Sequence, residues 1–321
     1  MLKSGNLGEK MGDKIKAFIL GAGLGTRLRP LTESLPKPLV PVLNRPLISY
    51  ALDHLIDELG VSEFMVNTHH CPDAYGLAFP DGRYRDASIE FRHEPVLLDT
   101  AGGIDNIRDW LPDDESFVVY NGDILTDSSL TKAKDHHLNS GNLVTLLLRS
   151  DGDELRVGFD QGSGKVVDLR GALRPDWKER FQFTGIYFVS PKFLQYIRPG
   201  KIESVVLSFL AAIEAGESVG GFLADDGAWS DLGERESYLD ALTLLSGENG
   251  EARVSPEATV HRSALIDGVS SVGAGAVIGE EVEIHESSIW AGATVLSGSR
   301  LNRVVVRGGQ VADGHLENLD I

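Results

Sequence analysis

Gly21-Ala-Gly-Leu-Gly-Thr-Arg27-Leu-Arg-Pro30-Leu-Thr-Glu-Ser-Leu-Pro36-Lys37-Pro38-Leu-Val-Pro41 follows directly on the apolar run Lys16 to Leu20. Glycines after a strand let the backbone approach a ligand and turn N–H groups toward phosphate oxygens, and Arg27 and Lys37 supply positive charge. The combination suits a triphosphate. A dinucleotide-binding loop would carry a third glycine at position 26, where Thr stands, and would open a helix that Pro30, Pro36, Pro38 and Pro41 forbid. A Walker A loop ends in Gly-Lys-Ser/Thr, whereas the next lysine here comes twelve residues after Gly25 between prolines.

Outward from this loop, short apolar runs alternate with amphipathic stretches. Lys16 to Leu20, Phe64 to Asn67, Ile89 to Arg92, Phe117 to Tyr120 and Val144 to Leu148 read as strands, several buried on both faces. Leu47, Ile48, Ala51, Leu52, Leu55, Ile56 and Leu59 recur at helical spacing, with Pro46 suited to the first turn and Gly60 to the stop. Strand alternating with helix predicts a mostly parallel α/β sheet covered on both faces, with ligands beyond the carboxyl ends of its strands.

Past about Asn249 the pattern changes. Val254, Val260, Ile266, Val272, Ile278 and Ile284 fall at a six-residue spacing that continues through Trp290 and Leu296. Four places after each of the first seven comes Ala258, Ala264, Ser270, Ala276, Val282, Ser288 or Thr294. This is the hexapeptide signature of a parallel β-helix of a few coils.

The 321 residues are 42% hydrophobic and carry a net charge of -18, which opposes non-specific nucleic-acid binding. Any anionic ligand needs a local basic pocket or a cation. No apolar run has the length of a membrane span, and the opening stretch lacks a secretory apolar block, so a cytoplasmic location is expected. Cys71 is the only cysteine, which excludes an internal disulfide and a thiolate-rich zinc site.

The loop from Gly21 to Pro41 resembles the N-terminal signature of the sugar-1-phosphate nucleotidylyltransferases. Three further segments carry the likeness: Thr100-Ala-Gly-Gly103 placed before a helix, Tyr120-Asn-Gly-Asp123 at the end of a strand, and Trp229-Ser-Asp231-Leu-Gly233. The tail is similar to the left-handed β-helix of many members. The resemblance implies an α/β fold, with a Rossmann-like, mostly parallel sheet nucleotidyltransferase domain over 14–248 and a left-handed hexapeptide β-helix over 249–321. Residues 1–13 form an extension with no assigned role. It further implies that Asp123 and Asp231 hold Mg²⁺, and that Ala22 and Gly23 meet the base through backbone groups. Gly25, Thr26 and Arg27 would cradle the β- and γ-phosphates, and Lys37 would bridge nucleotide and sugar phosphate. Gly102 would border base and ribose, and Gly185, in Phe183-Thr184-Gly185, the sugar. A carboxylate-held divalent cation offsets the charge that gathers as an α-phosphate is attacked, and direct in-line transfer needs no nucleophilic residue.

Two departures from the pattern are visible. Lys165-Val-Val-Asp168-Leu-Arg170-Gly stands where many relatives carry Glu-Lys-Pro; Asp168 and Arg170 could substitute, or be exposed charges on a plain strand. Glu234 and Arg235 replace a common Thr-Pro pair. His69, His70 and Cys71 read as a loop near the nucleotide pocket and not as a metal site, and His136 and His137 as helix-surface residues.

The expected activity is transfer of a nucleoside monophosphate from a nucleoside triphosphate to a sugar 1-phosphate. Mannose 1-phosphate with GTP is favoured by analogy with the tail architecture, and uridylyl transfer stays open. A homo-oligomer through the β-helix is also expected. The rivals are a non-catalytic nucleotide-sugar-binding subunit, which loss of Arg27, Lys37, Asp123 or Asp231 would have signalled, and an acyltransferase, for which the helix is short and the tail histidines His261, His285 and His315 form no constellation.

Overall fold

The computed structural model describes residues 15–246 and 253–321, so the extension 1–13 and the expected boundary at 248/249 lie outside the described residues. A ten-stranded sheet forms the larger part, from β1 (Ala17–Leu20), β2 (Glu63–Thr68), β3 (Arg83–Tyr84), β4 (Ala87–His93) and β5 (Phe117–Asn121) to β6 (Val144–Arg149), β7 (Leu155–Asp160), β8 (Lys165–Leu169), β9 (Arg180–Val189) and β10 (Val219–Leu223). Their order is β7-β8-β10-β6-β9-β5-β1-β2-β4-β3. β1 pairs in parallel with β5 and β2, and β2 with β4, whereas β9 runs against both β5 and β6. All five runs read as strands are strands of this sheet.

Helices cover both faces, among them the short α2 (Asp73–Ala78), whose Tyr75 is buried in one of the cores. In β1, Ala17 and Ile19 face a core shared with α1 (Ile48–Leu59), while Phe18 faces one shared with α3 (Asp99–Asn106) and α5 (Val205–Glu214). Burial on both faces explains the unbroken apolar strands. α1 begins one residue after the expected Leu47 and ends at Gly60, whose φ of 66° suits the left-handed cap that glycine adopts without strain. Full burial of Leu52 and Leu55 stabilises this layer by about 1.5–3 kcal/mol each.

His137 departs from expectation. On α4 (Leu130–Ser140) it follows Leu130 and Ala133 onto the inner side and is buried, with Nδ1 2.9 Å from Thr145 Oγ1 and Nε2 3.1 Å from Ser116 Oγ. Without a charged partner, burial lowers its pKa to about 4, helped by the neighbouring His136.

From Arg253 on, short parallel strands stack into three faces of four rungs each, consistent with the left-handed β-helix. The repeat slips where the sequence suggested continuity. Val254 stacks on Val272 and Ile266 on Ile284, eighteen residues on, but Val272 stacks on Ile289 and Ile278 on Val295, one residue fewer. The inward residues are therefore Ile289 and Val295, with Ser287 and Ala293 at the buried corners. Trp290 points outward, its Nε1 donating to Tyr238 Oη at 3.2 Å from a core shared with α6 (Arg235–Leu245), and Leu296 is exposed.

Candidate active site

The loop that leaves β1 carries two short turns, Thr26–Leu28 and Lys37–Leu39, as its prolines require. Gly25 sits at φ 58°, and Thr32 Oγ1 donates to its carbonyl at 2.7 Å, closing the first turn. The loop base is tied to β2: Gly21 N and Ala22 N both donate to Asn67 Oδ1, at 2.8 and 3.2 Å. Asn67 in turn donates to the fully buried Glu94 at 2.8 Å, and Glu94 also accepts from Leu98 N at 3.0 Å. Neither Asn67 nor Glu94 was singled out in the sequence, although a polar residue ending an apolar strand at the carboxyl edge was a usable sign. His69 Nδ1 lies 2.7 Å from Glu94 O and His70 Nε2 2.9 Å from Thr32 O, so both brace this wall through backbone carbonyls.

The carboxylates come from a two-stranded ribbon, Ile124–Thr126 against Trp229–Asp231, in which Ile124 faces Asp231 and Leu232 N donates to Asp123 O at 3.1 Å. Lys37 Nζ lies 2.5 Å from Asp123 Oδ2 and 3.5 Å from Asp231 Oδ1. The longer contact is an ion pair without a directed hydrogen bond, which leaves Asp231 Oδ1 buried and unpartnered although 40% of that side chain is exposed. Burial, then the adjacent Asp123 charge, raises the Asp231 carboxyl above the usual carboxylate range against the pull of Lys37 and Arg27. A buried carboxylate oxygen with no donor, beside a second carboxylate, fits a hard divalent cation whose remaining ligands come from phosphates and water. Among the described residues, no group of three or more His, Cys, Asp or Glu could form an all-protein cage.

One cleft is lined by Gly21, Ala22, Gly23, Gly25, Lys37 and Asp123, together with Thr100 and Asn121. Thr26 and Arg27 are at its exposed rim, where Arg27 Nη1 approaches Glu234 Oε1 at 3.5 Å and the guanidinium lies against Gly233. Asp231 and Arg27 border the adjoining cleft beside Trp229, Gln182 and Glu154. Gly185 lies at an irregularity of β9 with φ 82°, and a side chain there would collide with Asn121. Thr100 to Gly103 lie within α3 and not before it; Gly102 packs against the Lys201 carbonyl, away from the cleft that Thr100 lines.

Asp168 is neither a cleft residue nor an exposed charge. Fully buried, it accepts from Gly171 N, Leu173 N and Arg174 N at 2.8, 2.7 and 3.0 Å and from Arg180 Nη1 at 2.7 Å. Burial opposes its ionisation, but these donors outweigh it and hold the carboxyl below its usual range. The Glu234-Arg235 departure is explained by the start of α6 and its contact with the tail. Glu234 caps α6 reciprocally with Ser237, and Arg235 Nε reaches Asp320 Oδ1 at 2.8 Å.

A glycine-rich, basic loop after the first strand of an α/β sheet, faced by two carboxylates, defines an enzyme of the nucleotidyltransferase class. The family described as Nucleotidyl transferase matches residues 16–247, and the chain belongs to it; the expected sugar-1-phosphate nucleotidylyltransferase reading holds. It is similar to a mannose-1-phosphate guanylyltransferase of Mycobacterium tuberculosis, 30% identical over 90% of this chain and 84% of that protein. Mannose-1-phosphate guanylyltransferase 1 of Arabidopsis thaliana is 28% identical over 92% and 82%, and a UTP–glucose-1-phosphate uridylyltransferase of Synechocystis 31% over 58% and 52%. A Bacillus anthracis crystal structure, assigned as a glucose-1-phosphate thymidylyltransferase, shares the fold with a TM-score of 0.63 at 22% identity, covering 72% of this chain and 94% of that one. Among the described residues, no helix is long and apolar enough to cross a membrane.

Proposed function

We propose that the chain transfers GMP from GTP to mannose 1-phosphate, releasing pyrophosphate, with Mg²⁺ as cofactor. The observation that carries the reading is the Lys37 ammonium set between Asp123 and Asp231 at the mouth of the glycine loop. Asp123 and Asp231 would hold Mg²⁺, which when bound neutralises charge on the α-phosphate oxygens. Lys37 keeps the two carboxylates together and offers its other protons to phosphate oxygens that enter the cleft. Arg27, at the rim on one long ion pair, would meet the outer phosphates as pyrophosphate departs. Carboxylates fixed on a paired ribbon would help align the acceptor phosphate for in-line attack, and alignment alone contributes a large part of such a rate. The choice of GTP and mannose 1-phosphate is supported by the guanylyltransferase likeness, which at 90% of the chain takes in the β-helix, whereas the uridylyltransferase likeness covers 58%. A homo-oligomer through the β-helix belongs to the same proposal and is read by sedimentation.

The test is pyrophosphate release with Mg²⁺, GTP or UTP, and mannose or glucose 1-phosphate. The highest kcat/KM is expected for GTP with mannose 1-phosphate, and Asp123→Asn should lower it by about 10²–10³-fold. Preference for UTP with glucose 1-phosphate would move the assignment to uridylyl transfer. Silence of the wild type across the panel, with nucleotide still bound, would make the chain a binding subunit.

A further inference from the structure

The β-helix grips both halves of the active site. On the loop side, Arg307 Nη1 donates to Pro30 O and to Glu33 Oε2, each at 3.3 Å, while its Nε is anchored to Ile321 O at 3.1 Å. Leu28 and Leu31, each 1% exposed, close the same turn against Trp290, Val305 and Tyr238. Tyr238 Oη, held by Trp290 Nε1, donates to Pro41 O at 2.6 Å at the far end of the loop. On the carboxylate side, α6 starts four residues after Asp231. It is clamped by Arg235 on Asp320 and by Arg303, which donates to Glu236 at 2.6 Å and Asp240 at 3.2 Å. A stacked rod of parallel strands thus links the turn that carries Arg27 to the helix that follows Asp231.

We propose that Arg307 is a positioning residue for the transfer reaction, fixing the turn from Thr26 to Glu33 so that Gly25 and Arg27 keep their register against Asp231. One rigid guanidinium holds Pro30 O and Glu33 through Nη1 while Nε stays fixed on Ile321 O, a tie between turn and β-helix that an ammonium, with a single nitrogen, reproduces only in part. Displacement of a catalytic group by about 1 Å can cost on the order of a hundredfold in rate, so a loosened turn acts on turnover without any contact to substrate. The inference rests on the transfer reading and gives the tail a part in positioning the site beside the assembly proposed for it.

Arg307→Ala, Arg307→Lys and the control Arg300→Ala separate this role from a merely structural one. Arg300 pairs with Glu283 at 3.2 Å on another face of the rod. With the pair of substrates the wild type prefers, Arg307→Ala should lower kcat by about tenfold and raise KM for the nucleotide. It should also speed amide exchange over residues 26–36, with the melting temperature and sedimentation unchanged. Arg307→Lys should recover part of both, and Arg300→Ala should change neither. Wild-type kcat and exchange in Arg307→Ala would overturn the proposal. So would a lowered melting temperature with exchange rising along the whole β-helix and not in the 26–36 segment. If the wild type itself releases no pyrophosphate, the transfer reading fails, and exchange at 26–36 still decides whether Arg307 holds the loop.

Discussion

Asp168 and Asp231 are both acids drawn out of water near the end of a strand, and the two have opposite electrostatics. Asp168 is completely enclosed yet meets three backbone N–H groups and Arg180, and its carboxyl is held below the usual range. Asp231 keeps part of its side chain in water, but its Oδ1 is buried without a hydrogen bond and its carboxyl is raised. Burial is common to both; the supply of donors and, at Asp231, the neighbouring Asp123 charge decide the sign. A carboxylate whose donors are complete organises the turn around it. One left short of donors beside another carboxylate is stabilised only when a cation arrives.

The largest expected effect is on the unsatisfied member. Asp231→Asn should lower turnover by about a thousandfold, or ~4 kcal/mol of transition-state stabilisation, and leave thermal stability equal or higher, because the fold loses a charge it holds unfavourably. Next comes the satisfied member. Asp168→Asn breaks a buried ion pair and leaves Arg180 facing a neutral group, at a cost of about 3 kcal/mol in denaturant unfolding, with turnover per folded molecule unchanged. Loss of turnover in Asp168→Asn, or a large loss of stability in Asp231→Asn, would break the contrast.

The opposite electrostatics of these two acids could not be read from local sequence alone. The Gly21 to Pro41 loop was legible because its glycines, prolines and two basic residues are contiguous, and Asp123 and Asp231 because each sits in a short recognisable segment. Asn67 and Glu94 were not, since their importance is created by bonds to Gly21, Ala22 and Leu98 that only the folded sheet brings together. The slip in the β-helix was hidden for a different reason. Ile289 and Trp290 are both apolar, as are Val295 and Leu296, so either register satisfies a six-residue hydrophobic count. Pairing, not hydropathy, shows that Trp290 faces the glycine loop. The donor count around Asp168 was equally invisible, because its three N–H partners come from a turn whose shape the carboxylate itself maintains.

The smallest effect sharpens the same rule with a base in place of an acid. His137 is as enclosed as Asp168, but its partners are the neutral hydroxyls of Thr145 and Ser116. Burial without a compensating charge disfavours the protonated ring and lowers its pKa to about 4. The unfolded chain binds that proton near pH 6.5, so the contribution of His137 to stability is complete above 6.5 and is lost as pH falls toward 4. Between pH 7 and 5 this single group should remove about 2 kcal/mol of unfolding free energy. Asp168 should remove almost nothing in that interval, since its folded and unfolded forms are both ionised there. Ring-proton NMR reports the His137 titration directly, and denaturant unfolding at pH 7 and 5 reports its cost. A ring that titrates near 6.5, with flat stability between the two pH values, would mean that neutral hydroxyls compensate burial as well as charges do, and the distinction between Asp168 and Asp231 would then need a cause other than the charge and number of their donors.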